Sequence, residues 1–176
     1  EHEYTYEITA NDAIALLDQS DHMGGIYTGQ TVGEIVRGIC NIPYFIQSRF
    51  ENVKLYGWLP IAKRRANLAQ VLFAIGAHAK VDHLGALRIE SLWDGISSDI
   101  PPDRVFMGDR VTYASKVSEV SVIEHQYIQT REEKVLFEGT LLSGDIIRFS
   151  EPVHNLSASG FSILESGANY AKLSAG

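Results

Sequence analysis

Apolar and polar positions follow a helical period in several stretches of the first hundred residues and lose that period afterwards. Val32, Ile35, Val36 and Ile39 recur at three- and four-residue spacing behind Thr31 and Glu34, which stand at capping-box distance. This pattern predicts a helix with one buried face. A shorter helix is predicted in "TANDAIALLDQ", with Thr9 and Asp12 as its capping pair and Ala13, Ile14, Leu16 and Leu17 on one apolar face. The strongest helix runs from about Ala62 to Ile75, where Leu68, Val71, Leu72 and Ile75 share a face and Gly76 supplies the stop. Tyr4, Tyr6 and Ile8 alternate as one face of an opening strand. "IPYFIQS" and "VKLYGWLPI" read as extended, the latter because Pro60 keeps its predecessor out of the helical region. "DHMGGIYTG" reads as a turn-rich connection, and "AKVDHLGALRIESL" as strand, turn and strand.

Beyond "DGISSDIPPDR" short alternating runs replace helical spacing, punctuated by Gly, Ser and Pro. Strands are expected in "RVTYAS", "VSEVSVIEHQYI", "KVLFEGTLL", "DIIRFSE", "FSILES" and "NYAKLS", with "LSGD" as a hairpin turn. The expected fold class is α+β. Residues 1–99 form a mixed domain with about three helices, and residues 100–176 form a β-rich, barrel-like domain.

Composition narrows the function. The chain is 45% apolar and 21% charged, enough for a real core. Its net charge of -7 argues against nucleic acid as a partner, because phosphate neutralisation needs clustered Lys and Arg. No apolar run is long enough to span a bilayer, and Glu1 is followed by neither a basic nor an apolar leader region, so no membrane partner is expected. The absence of an initiator Met suggests a piece of a longer polypeptide. Cys40, the single cysteine, sits in the apolar stretch "EIVRGIC" and reads as a small buried hydrophobe.

The densest grouping of reactive side chains is "GAHAKVDHLGALRIE", with His78, Asp82 and His83. On an extended strand His78 and Asp82 share a face and His83 points away, so the imidazoles diverge and no four-ligand set is completed. Asp82 opening a hairpin loop, with Gly85 at positive φ, accounts for the same residues. Lys63, Arg64 and Arg65 open the strongest helix, where positive charge opposes the macrodipole. They are candidates for contact with an acidic partner surface, or for a solvated first turn, with Arg65 pairing inside its own domain. Glu132 and Glu133 are sequence neighbours expected at a hairpin tip, and Asn155 begins an "NLS" triplet too common to interpret. No nucleophile elbow or phosphate loop is present. No catalytic, cofactor or metal residue is therefore assigned, and the chain is expected not to be an enzyme.

Three long stretches, "YEITANDAIALLDQSDHMGGIYTGQTVGEIV", "LYGWLPIAKRRANLAQVLFAIGAHAKVDHLGALRI" and "LFEGTLLSGDIIRFSEPVHNLSASGFSILESGANYAKL", taken in order, resemble the tail-tip hub proteins of long-tailed bacteriophages and prophages. These are the tail-associated lysin or prophage tail endopeptidase proteins. The "GWLP" step, the arginine-containing helix start, "FAIGA" and the D-x-x-G hairpin are the most specific elements. The resemblance implies a baseplate-hub fold, a homotrimer around the tail axis, contact with other tail proteins, and location in the virion tail after assembly in the bacterial cytoplasm. No cofactor is expected. Two other readings stay open from the residues themselves: a glycan-binding module stacking sugars on Tyr27, Trp58 or Trp93, and a cell-wall hydrolase using His78, Asp82 or His83.

Overall fold

The computed structural model describes residues 7, 9–94, 101–104, 112–123 and 128–175. The expected opening strand at Tyr4–Tyr6 and Ile8, and the expected domain boundary near residue 100, lie outside these residues. The protein has mixed α+β structure.

Helix α1 (Val32–Ile39) forms as its pattern predicts. Thr31 Oγ1 accepts from the Glu34 backbone N–H while the Glu34 carboxylate accepts from the Thr31 N–H at 2.8 Å, so both halves of the capping box are made. Val32, Ile35, Val36 and Ile39 are buried. Helix α3 (Arg64–Ile75) buries Leu68, Val71 and Leu72 and ends at Gly76 in the left-handed conformation. Between them a four-residue helix, α2 (Ser48–Glu51), buries Phe50 and was not legible as a periodic run.

The predicted first helix is instead a 3-10 segment, Ala13–Asp18, capped by Asp12, whose side chain accepts from the Ile14 N–H. Three residues per turn place Leu17 inward at 0% exposure and turn Leu16 outward at 44%, which undoes the expected four-residue apolar face. Thr9 takes no part in this cap.

The turn-rich reading of "DHMGGIYTG" is also corrected. It contains β1 (Asp21–His22) and most of β2 (Gly25–Thr31). Strand β2 pairs antiparallel with β4 (Lys54–Leu59), and β1 pairs with β5 (Ala62–Lys63). Glycines hid the strand, because they lower β propensity without forbidding a bulged ribbon, and the β2–β4 register shifts between Thr28 and Gln30. A second sheet places β7 (Leu87–Ser91) between β3 (Tyr44–Ile46), which is parallel to it, and β6 (Ala77–Val81), which is antiparallel. Its inner face carries Ile46, Leu87 and Ile89 into the core formed with α1 and α3, and its outer face carries Phe45, Lys80, Arg88 and Glu90.

Among the described residues the β-rich half holds one three-stranded antiparallel sheet, in the order β8 (Ile146–Arg148), β10 (Tyr170–Ala175), β9 (Phe161–Gly167). No barrel is closed among the described residues. The expected strands at "KVLFEGTLL" and in the described parts of "RVTYAS" and "VSEVSVIEHQYI" are absent. Their alternation is real, but a strand requires a ladder partner, and none is paired with them among the described residues. "LSGD" does turn, with the Asp145 N–H donating to Leu142 O at 3.1 Å, but only β8 follows it as a strand. Glu132 and Glu133 therefore mark no hairpin tip.

Candidate functional site

The histidine grouping resolves into scaffold. Asp82 closes the β6–β7 hairpin: its carboxylate accepts from the Leu84 and Ala86 backbone N–H groups at 2.9 and 3.0 Å and from Arg88 Nε at 3.0 Å. The Ala86 hydrogen bond is the main influence holding its pKa below the ordinary carboxylate value, aided by Leu84 and Arg88. Gly85 sits at φ 81°, as the loop reading requires. His78 lies within β6 opposite Glu90 with Nδ1 buried, whereas His83 is exposed in the loop. Among the described residues no group of three His, Cys, Asp or Glu is placed to hold a metal. Cys40 is half-buried, and burial raises its thiol pKa to about 11, which keeps it protonated and poorly nucleophilic at neutral pH.

The three basic residues that open α3 are each engaged within the chain. Lys63 pairs with Asp21 at 2.9 Å and Arg65 with Asp18 at 3.0 Å, both at the surface. Arg64 reaches back: Nε donates to Ser20 Oγ, and Nη1 donates to the Gly38 and Ile39 carbonyls at 3.0 and 2.6 Å. A cation misplaced at the N-terminus of α3 is thus well placed at the C-terminus of α1, where unpaired carbonyls and the negative dipole end welcome it.

A buried polar node lies beside it. Asn67, fully buried, has Nδ2 2.9 Å from both Pro60 O and His22 Nδ1. With Nδ2 as the donor, His22 Nδ1 is the acceptor and the imidazole is neutral. Desolvation, then the Arg64 charge, lowers the His22 pKa.

A second node joins the two halves. Asn169, in the β9–β10 turn, is 1% exposed although its partners in β4, Leu59 and Trp58, lie 110 and 111 positions away in sequence. Its Oδ1 accepts from Trp58 Nε1 at 2.7 Å, and its Nδ2 donates to Met23 O and Leu59 O at 2.9 Å each. Gly24 makes room for this amide. It lies at φ 66°, and a Cβ there would come within 2.1 Å of Leu59 O and 2.5 Å of Asn169 Nδ2. Arg148 of β8 adds a longer ion pair to Asp21 at 3.5 Å. Nothing in the sequence pattern marked Asn169; an Asn-Tyr step after Gly-Ala reads as an ordinary turn.

The β-rich half leaves much apolar surface exposed. Ile146, Ile163 and Leu164 lie exposed on the three-stranded sheet, and Ile128, Val135 and Leu142 on the chain leading to it. Of the three aromatic residues considered for sugar stacking, Tyr27 and Trp58 line one groove, while Trp93 stands exposed elsewhere. Comparison with protein-family models, curated proteins and solved structures found no match.

Proposed function

We propose that this chain is a structural subunit of a phage or prophage tail tip or baseplate hub, which closes the tail tube and connects it to fibre or lysin regions. One observation carries the reading beyond the sequence resemblance. The β-rich half is anchored to a well-packed α+β body by Asn169, yet displays strand-forming apolar residues on a three-stranded sheet and on the chain before it. Isolated apolar side chains on a surface are ordinary, but a concentration of them beside open strand edges marks an assembly surface.

On this reading the barrel is completed on assembly, and the partners are further copies of the chain, forming a homotrimer, together with other tail proteins. The role is architectural, not enzymatic. A net charge of -7, with Lys63 and Arg65 paired to Asp21 and Asp18, favours no nucleic-acid contact. Sedimentation over a hundredfold range of concentration tests the proposal. A three-chain species growing with concentration is expected, and a single chain throughout contradicts it.

A further inference from the structure

A groove of about 580 Å³ runs between β4 and α3. Leu55, Trp58, Val71, Ala74 and the ring of Tyr27 form its apolar walls, and besides the Trp58 N–H its side-chain polar groups are the Gln70 amide and the Tyr27 and Tyr56 hydroxyls. Trp58 Nε1–H is engaged with Asn169. A sugar or other polar ligand would require more convergent donors and acceptors than this lining offers, so the groove fits an apolar occupant. Ile123, nearly fifty residues further along the chain than Ala74, already lies at its rim while remaining 75% exposed. Val117, Val120 and Val122, in the same stretch, are exposed to a similar degree.

We propose that residues 117–123 are a strap that docks in this groove, with Ile123 seated over Leu55 and Val71. The choice of occupant follows from tethering. A segment of the same chain, already touching the groove, acts at a millimolar-scale effective concentration, roughly, whereas a second copy at micromolar concentration competes poorly. The strap goes beyond the assembly reading, because it withdraws residues 117–123 from the surface offered to other copies. The sheet β8–β10–β9 and residues 135–142 keep that role.

Thiol cross-linking of the full chain tests it. Ile123→Cys is combined with Gln70→Cys in a Cys40→Ala background, and Ile123→Cys with Leu84→Cys, on the β6–β7 loop, serves as control. A short bifunctional thiol reagent is expected to link the first pair within single chains at least fivefold more than the control, independently of protein concentration. Equal yields in the two pairs, or links found only between chains, overturn the strap; the latter outcome gives the groove to a second copy. Should Cys40→Ala prevent folding, hydrogen exchange on the native-cysteine chain decides. Ile123→Asp is expected to speed exchange in residues 55–59 and 70–74, and unchanged exchange there overturns the proposal.

Discussion

Asn169 makes three hydrogen bonds from a fully buried position, so its loss leaves an indole N–H and two carbonyls short of partners. Asn169→Ala is expected to lower unfolding stability by about 3 kcal/mol, with Trp58→Phe costing about 1–3 kcal/mol because the indole donor and part of the ring volume are lost while an aromatic ring remains. Chemical denaturation checks both, and an Asn169→Ala effect no larger than that of a surface substitution would refute the latch. Arg64→Ala is expected to cost about 1.5–3 kcal/mol through lost charged hydrogen bonds to the end of α1, while Lys63→Ala and Arg65→Ala stay within about 1 kcal/mol. His22 gives a pH signature. Its pKa in the fold lies below the ordinary value of 6.5, so the unfolded chain takes up the proton first. Its contribution to stability is therefore complete above pH 6.5 and declines as pH falls below it, levelling off under the folded pKa. Melting curves from pH 8 to 5 should show this loss, and His22→Asn should reduce it.

At the scale of elements, legibility followed the range of the forces involved. Helix α1 was readable because its stripe and its Thr31–Glu34 box are local, and Thr31→Ala is expected to cost about 0.5–2 kcal/mol in a denaturation experiment. Helix α3 and the Asp82–Gly85 hairpin were readable for the same reason, since the Gly76 stop and the Asx-type loop are set by neighbouring residues. The strand β2 was missed because its glycines obscure an alternation that only pairing with β4 makes visible. The parallel pairing of β3 with β7 spans some forty residues, and no local pattern encodes it. In the β-rich half the error ran the other way. Alternation in Val117–Ile123 and Lys134–Leu142 was sufficient to expect strands, but strands are made by partners. The candidate site was least legible of all, for Asn169, Gly24 and Trp58 meet only in three dimensions.

For the molecule as a whole, the contrast between the halves is the main physical fact. The first has a continuous core running through α1, α3 and the β3–β7–β6 sheet, and the second holds only Ala171 and Leu173 as buried apolar residues among those described. On the proposed assembly, a half so thinly covered would gain stability by burying its strands against other chains. Leu164→Lys, on the exposed part of β9, is expected to weaken self-association at least tenfold without lowering monomer stability, as sedimentation and thermal melting can show. The most direct measurement is hydrogen exchange of the unmodified protein in dilute and concentrated solution. Assembly through the β-rich half predicts new protection in residues 135–142 and 161–167 on concentration, with α3 unchanged. Protection that fails to rise there, or that rises only over the α+β body, would contradict it.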